Sequence, residues 1–90
     1  MLDLNVVVYE SAFCPYCMWA KRLLDAKQIS YTLINVDRDA EKRTEMENLS
    51  GRYTVPQIFF GDRHIGGYDD LSALERSGEL DQVIQEAAAS

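Results

Sequence analysis

Short apolar runs, rich in β-branched and aromatic residues, predict the strands of this protein. Residues 5–9 form an almost uninterrupted run, which is typical of a central strand covered on both faces. Similar runs at 31–36, 57–60 and 63–65 predict three further strands. A Gly-Asp turn signal separates the last two runs, so we expect these two strands to form a hairpin.

Between these runs, apolar residues recur at three- and four-residue spacing, which predicts amphipathic helices. The first helix begins at Pro15, because proline suits the first helical position, and its inward residues include Ala20 and Leu24. Acidic caps and glycines mark the ends of the later helices. The predicted helices are 15–27, the segment from Asp37 or Asp39 to Gly51, the segment from Asp69 or Asp70 to Glu75, and 79–87.

The order of these elements predicts one α/β sandwich. A helix separates the first two strands, so these strands should be parallel and joined by a right-handed crossover. The hairpin then adds antiparallel strands to the same sheet. We therefore predict a thioredoxin-like α/β fold, a four-stranded mixed sheet flanked by helices, in a single domain over residues 1–90.

Composition and charge narrow the class of protein. The 15 acidic and 9 basic side chains give a net charge of −6, which argues against a nucleic-acid partner because such surfaces are basic. The start of the chain lacks the basic residues of a signal peptide, and no apolar run reaches the roughly 20 residues of a membrane span. We expect a cytoplasmic protein without a membrane partner.

The only two cysteines, Cys14 and Cys17, lie where the first predicted strand meets the first helix. In a reducing compartment such a C-x-x-C pair indicates redox chemistry or a metal site before it indicates a structural disulfide. Cys14 would cap the helix, where free backbone N–H groups and the helix dipole stabilise a thiolate. Cys17, one turn later, would be buried and protonated. We predict that Cys14 attacks the substrate disulfide and that Cys17 resolves the mixed disulfide formed on Cys14.

Other interpretations of the cysteine pair are weaker. A structural zinc site takes four ligands, and His64, the only histidine, falls on a predicted strand across the sheet, so we expect no bound metal. Two inert buried thiols are a third interpretation. The position of the pair at a strand–helix junction argues against it. We also predict that His64 is a surface residue and not a general base, because a base must first lie within reach of the reacting group.

Three segments at these separations resemble the dithiol glutaredoxins. They are CPYC at 14–17, TVPQIF at 54–59 and GGYDDL at 66–71, and the resemblance covers about residues 5–85. It implies glutathione-dependent reduction of protein disulfides and of protein–glutathione mixed disulfides, with glutathione as the reducing co-substrate. Ribonucleotide reductase is a common protein partner in that family, and we expect the protein to act as a monomer.

The resemblance also implies how glutathione is bound. Pro56 matches a proline that is cis in this fold, and the Val55 backbone would pair with the cysteinyl part of glutathione like an added strand. The helix start at Asp69 and Asp70 would hold the γ-glutamyl carboxylate, and the Asp70 carboxylate would hold the γ-glutamyl ammonium. The implied glutathione-binding residues are Tyr16, Arg52, Thr54, Val55, Pro56, Gly67, Asp69 and Asp70.

One position departs from the family pattern. Many glutaredoxins carry a lysine three residues before the first cysteine, where this chain has Ser11. That lysine is associated with the glycyl carboxylate of glutathione, so another base would have to replace it. Arg52, just before the TVP segment, is the preferred candidate, and Lys21 on the first helix is the other.

Two other functions share these motifs. A redoxin that is recharged by thioredoxin reductase would carry the same cysteine pair, but the TVP and GGYDD segments favour glutathione. Some family members hold a [2Fe–2S] cluster between two monomers, using the first cysteine and glutathione as ligands. Pro15 argues against cluster binding, because its ring stiffens and crowds the position beside Cys14.

Overall fold

The computed structural model describes residues 2–89. Within this range the elements are β1 (Leu2–Glu10), α1 (Pro15–Ala26), β2 (Ile29–Asn35), α2 (Ala40–Ser50), β3 (Gln57–Phe60), β4 (Arg63–Gly66), α3 (Tyr68–Ser77) and α4 (Glu79–Ala88). Their order is the predicted one. None of the helices in residues 2–89 combines the length and the apolar character that crossing a membrane requires.

The strands form one mixed sheet in the order β2-β1-β3-β4. β1 pairs in parallel with β2 and antiparallel with β3, and β3 pairs antiparallel with β4. The predicted four-stranded mixed sheet, its parallel first pair and its hairpin are confirmed. β1 lies inside the sheet, so the segment that follows it emerges between two neighbouring strands.

The first strand begins earlier than the sequence predicted. β1 starts at Leu2, and its pairing with β2 shifts register between Asp3 and Val6. Asn5, inside this irregularity, has a left-handed φ of 55°, and its backbone N–H donates a 3.1 Å hydrogen bond to the Asp3 carboxylate. Asparagine tolerates this conformation better than most residues. Residues 3–5 therefore extend the strand, and Leu4, between the polar Asp3 and Asn5, packs against the core.

The start of α3 also differs from the prediction. Its N-cap is Gly67 and not Asp69 or Asp70, because the chain turns directly from β4 into the helix. Asp70 lies in the first turn, and its carboxylate accepts a 2.9 Å hydrogen bond from the Gly67 backbone N–H. At α2 one of the two predicted caps is confirmed, since Asp39 accepts a 3.0 Å hydrogen bond from the backbone N–H of Lys42.

Side chains of the sheet alternate between two apolar clusters, one on each face. The larger cluster packs the sheet against α1, α3 and α4, and its buried residues are Val6, Val8, Ala20, Leu24, Ile29, Ile58, Phe60, Leu71, Leu80 and Val83. The smaller cluster packs the opposite face against α2 and contains Tyr9, Val36, Met46 and Phe59. Because both faces of β1 are covered, the loop at its carboxyl end is held firmly at the start of α1.

Candidate active site

The two cysteines lie between β1 and the first turn of α1. Cys14 is the N-cap of α1, and its Sγ accepts a 3.1 Å hydrogen bond from the Cys17 backbone N–H. Pro15 is the first residue of the helix, as predicted. Both cysteines are free thiols; Cys14 is half-buried, whereas Cys17 is only 1% exposed. One sulfur therefore faces the surface at the helix start, and the other lies beneath it.

Burial determines the protonation state of Cys17. Desolvation is the largest cause, and a hydrogen bond with the Cys14 thiol adds to it, so that the pKa of Cys17 rises to about 12. A backbone hydrogen bond involving Ser11 lowers the same pKa, but less strongly. Cys17 is therefore a neutral thiol at pH 7, and it has to lose its proton when it attacks a disulfide.

A surface groove with a volume of about 350 Å³ opens beside the cysteines. It brings together α1, the loop before β3 and the turn into α3, and we call it the TVP groove. Its lining residues are Tyr16, Arg52, Thr54, Val55, Pro56, Gly67, Tyr68, Asp69 and Asp70. Every residue that the resemblance implied for glutathione lies in this groove. Tyr68 is the one lining residue that the sequence did not indicate.

Val55 connects the TVP groove to Cys14. The Val55–Pro56 peptide bond is cis, as the resemblance implied, and the Val55 carbonyl oxygen lies 4.0 Å from Cys14 Sγ. On the other side of Pro56 the groove is narrow, because a Cβ atom on Gly67 would lie 3.4 Å from the Pro56 carbonyl oxygen. Val55, which is half-buried, and Pro56, which is buried, thus line the TVP groove between the cysteines and α3.

An ion pair occupies the α3 end of the TVP groove. Arg52 Nη1 donates a hydrogen bond to Asp70 Oδ2 at 2.8 Å. The Arg52 hydrogen bond, followed by the Gly67 backbone hydrogen bond, lowers the pKa of Asp70 below its ordinary value. The turn requires a glycine at Gly66, which has a φ of 117° and whose added Cβ would lie 2.3 Å from Asp70 Oδ2. The turn into α3 therefore fixes an ionised carboxylate beside an arginine.

Three aromatic side chains form the wall between α1 and α3. Tyr16 contacts Trp19 edge to face, with ring centroids 5.3 Å apart. Trp19 in turn lies 5.7 Å from the Tyr68 ring, and Tyr68 lies 6.4 Å from Tyr16. Such pairs add packing energy beyond the area they bury. The cluster holds Tyr16 at the edge of the TVP groove, two residues from Cys14.

Comparison with known proteins identifies the family. Residues 6–65 match the family model described as Glutaredoxin. The chain belongs to the glutaredoxin family. Among curated glutaredoxins, it is 48% identical to one from Pseudomonas aeruginosa over 79 residues, which cover 88% of this chain and 94% of that protein. It is 49% identical to glutaredoxin 3 of Escherichia coli K12 over 81 residues, covering 90% of this chain and 98% of that protein.

Solved glutaredoxin structures share the fold of this one. The crystal structure of a buckwheat glutaredoxin–glutathione complex superposes with a TM-score of 0.83 at 31% identity, covering 94% of this chain and 80% of that one. The solution structure of glutaredoxin from Brucella melitensis gives a TM-score of 0.77 at 47% identity, covering 88% and 86%. The predicted thioredoxin-like fold and the predicted oxidoreductase class are confirmed.

In this glutaredoxin, Ser11 has a defined partner. The Ser11 hydroxyl and the Ala12 backbone N–H both donate to the Asp37 carboxylate, the latter at 2.9 Å. The Ser11 hydroxyl is the largest cause that lowers the pKa of Asp37, followed by the Ala12 N–H. Asp37, which the sequence indicated only as a possible helix cap, therefore anchors the loop in front of Cys14. No local pattern signals this role.

The two candidate replacements for the missing family lysine lie in different places. Lys21 Nζ forms a 2.8 Å ion pair with Glu10, and both residues line a second cavity that also contains Cys14. Arg52 lines the TVP groove itself. Of the two bases, Arg52 is therefore the one positioned beside the residues implied for glutathione.

His64 lies nearer the interior than the sequence predicted. His64 is half-buried, and its Nε2 lies 2.7 Å from Gln57 Oε1. Gln57 is fully buried, and its Nε2 donates a 3.0 Å hydrogen bond to the Thr54 carbonyl oxygen. Burial and then the positive charge of Arg52 lower the pKa of His64, so its ring is neutral at pH 7. The sequence alone indicated no role for Gln57, which supports the TVP groove from behind.

Within residues 2–89, no group of three or more His, Cys, Asp and Glu side chains is arranged to hold a metal ion. The groups that the site does present are two thiols, the backbone of the TVP groove and the Arg52–Asp70 ion pair. A half-buried thiol at a helix start, a fully buried thiol and a polar groove lie next to one another. This arrangement suits exchange between a bound thiol compound and a disulfide.

Proposed function

We propose that this glutaredoxin reduces protein–glutathione mixed disulfides and protein disulfides, using glutathione as the reductant. The observation that carries the proposal is the position of Cys14 Sγ, 4.0 Å from the Val55 carbonyl oxygen where the TVP groove meets the cysteines. A thiol compound whose backbone pairs with Val55 would present its sulfur to Cys14. The buckwheat relative, whose solved structure is a glutathione complex, supports glutathione as that compound.

The charges of the TVP groove suit the ends of glutathione. The first-turn N–H groups of α3, at Asp69 and Asp70, can bind the γ-glutamyl carboxylate. The ionised Asp70 carboxylate can bind the γ-glutamyl ammonium. Arg52 uses Nη1 on Asp70, and a guanidinium has five N–H donors. The remaining donors can bind the glycyl carboxylate.

In the one-thiol route, the Cys14 thiolate attacks the glutathione sulfur of a protein–glutathione disulfide. The bond between the two substrate sulfurs breaks, the protein leaves as a thiolate and takes up a proton, and Cys14 becomes linked to glutathione. A second glutathione thiolate then attacks the glutathione sulfur on Cys14. This step releases oxidised glutathione and regenerates the Cys14 thiolate, so Cys17 takes no part in this route.

In the two-thiol route, Cys14 attacks a protein disulfide and forms a mixed disulfide with the substrate protein. Cys17, one turn away and buried, loses its proton as it attacks the Cys14 sulfur. The substrate leaves as a dithiol, and two glutathione molecules then reduce the Cys14–Cys17 disulfide. Because burial holds the pKa of Cys17 at about 12, its thiolate is scarce at neutral pH.

We further propose that the protein works as a monomer in the cytoplasm and carries electrons to disulfide-bearing proteins. The TVP groove and both cysteines are complete within one chain, so the proposed reaction needs no residue from a second copy. A glutathione-driven cycle needs a reduced glutathione pool, and the cytoplasm maintains one. Ribonucleotide reductase is a candidate among the disulfide-bearing partners, because family members reduce it.

The test is a coupled assay with two reducing systems. We expect activity with glutathione and glutathione reductase, and none when thioredoxin reductase is the only reducing system. Cys17→Ser should retain reduction of a protein–glutathione disulfide and lose reduction of a protein disulfide, whereas Cys14→Ser should lose both. Activity supported only by thioredoxin reductase, or activity that survives in Cys14→Ser, would contradict the proposed function.

A further inference from the structure

We propose that Phe13 is a specificity-determining residue that binds apolar side chains next to the disulfide of a protein substrate. This inference rests on the proposed function, since it concerns which disulfides reach Cys14. Phe13 directly precedes Cys14 and is fully exposed, at 103%. A large aromatic side chain is normally at least partly buried in a folded protein. Full exposure beside a reactive sulfur therefore indicates a contact made with a partner.

The backbone of Phe13 holds this side chain outward. Its φ is 56°, in the left-handed region, which bulky residues seldom adopt. The preceding residues are fixed by Asp37, which accepts hydrogen bonds from Ser11 and Ala12. The following residue is fixed as the N-cap of α1. Strained conformations that are held from both sides are concentrated at functional sites, and here the strained residue is next to the nucleophile.

Phe13 forms the rim of a second cavity that includes the nucleophile. The apolar Phe13, Pro15 and Met18 line this cavity beside Cys14, and its polar lining includes Glu10, Lys21, Ser11 and Asn35; we call it the Phe13 pocket. Met18 is 48% exposed. Glu10 and Lys21 are paired with each other at 2.8 Å, so their charges largely compensate. On the side of Phe13, Pro15 and Met18 the Phe13 pocket thus presents apolar side chains next to Cys14, and the pocket carries no strong net charge.

The proposed reaction indicates what binds in the Phe13 pocket. Glutathione takes the TVP groove, on the side of Cys14 that faces Val55. The polypeptide of the substrate has to bring its own sulfur to the same site, and so it has to lie outside that groove. The Phe13 pocket is a second cavity that contains Cys14. Its apolar rim suits an extended protein segment with an apolar residue beside the disulfide-bonded cysteine.

The test compares synthetic peptides that carry glutathione on a cysteine. One peptide has leucine beside this cysteine and the other has serine, and the mixed disulfide of cysteine and glutathione is the small substrate. We expect Phe13→Ala to lower kcat/KM about tenfold for the leucine peptide, mainly through KM, as for loss of an aromatic anchor. The change for the small substrate should stay within about twofold, and Phe13→Leu should restore most of the loss.

Two further variants separate the side chain from the backbone. Phe13→Asn removes the apolar surface, and asparagine tolerates the left-handed conformation, so it should behave like Phe13→Ala. Leu49 on α2 is an apolar side chain that is 60% exposed. Leu49→Ala removes it and should leave kcat/KM unchanged for all three substrates. Equal losses on all three substrates in Phe13→Ala, or no preference of the wild type for the leucine peptide, would overturn the inference. A wild type that reduces none of them would instead overturn the proposed function, and this inference with it.

Discussion

The Asp70 carboxylate accepts a 2.8 Å hydrogen bond from the Arg52 guanidinium, across the TVP groove. Arg52 precedes β3 and Asp70 lies in α3, so the pair joins two of the segments that form the groove. Both side chains are partly exposed, at 47% and 44%, and an exposed ion pair contributes little to folding. We therefore expect this pair to act mainly on ligand binding.

Replacing Asp70 with asparagine should weaken glutathione binding and leave the fold intact. The asparagine amide is not charged, so the γ-glutamyl ammonium loses a charged acceptor, and the KM for glutathione should rise about tenfold. The free energy of unfolding should change by less than about 1 kcal/mol. Steady-state kinetics and urea titrations measure the two effects. Asp62→Asn, on the turn between β3 and β4, removes a charge outside the TVP groove and is the matched control. An unchanged KM would show that Asp70 does not bind glutathione.

Gly66→Ala should be strongly destabilising, whereas Gly61→Ala should be mild. Both glycines have left-handed backbones, with φ of 117° and 59°. A Cβ on Gly66 would lie 2.3 Å from Asp70 Oδ2, whereas a Cβ on Gly61 meets nothing within 4 Å. We expect losses of about 2–4 kcal/mol for Gly66→Ala and about 1 kcal/mol for Gly61→Ala. Chemical denaturation distinguishes them, and equal losses would mean that the Asp70 contact is unimportant.

Gln57→Leu should reduce both stability and glutathione binding. Leucine has a similar volume, but it leaves the Thr54 carbonyl and His64 Nε2 without the hydrogen bonds they make to Gln57. Thr54 is exposed and its carbonyl can bind water instead, whereas His64 is half-buried. One unsatisfied buried group costs about 1–3 kcal/mol, so we expect a loss in that range and a raised KM for glutathione. Gln85→Leu, at an exposed position of α4, controls for added apolar surface. Normal stability of Gln57→Leu would show that water replaces the amide.

The reduced protein should lose stability as the pH rises above 9. Burial raises the pKa of Cys17 from 9.0 to about 12, and the pKa of Tyr9 from 10.0 to about 12. The folded state therefore holds these protons more tightly than the unfolded state. Their stabilising contribution is complete below the unfolded pKa values and decreases as the pH rises toward the folded ones.

Cys17→Ala isolates the thiol contribution to this pH dependence. Between pH 9 and 10, its stability should fall less steeply than that of the wild type, by up to about 1 kcal/mol per pH unit. Between pH 6 and 8 the two curves should run parallel, which provides the control within one experiment. Denaturant titrations in the presence of a non-thiol reductant give both curves. Parallel curves above pH 9 would show that Cys17 titrates alike in the folded and unfolded states.

Much of the site could be predicted from the sequence because its chemistry is local. Cys14, Pro15 and Cys17 are close in the chain, and one helical turn determines how they face each other. The TVP and GGYDD segments have distinctive backbones, with a cis proline in one and paired glycines in the other. The alternation of short strands with helices was likewise sufficient to predict the mixed sheet.

Other relationships were decided only by the tertiary structure. Asp37 binds the loop at Ser11, and Asp70 binds Arg52 and the Gly67 cap, although the sequence indicated both acids as helix caps. His64, which the sequence placed on the surface, is half-buried and contacts Gln57. A side chain's hydrogen-bond partner depends on which distant segments the fold brings within about 3 Å of it. Residue type and spacing determine which local elements form, but partners far apart in the chain meet only after the sheet and helices have packed.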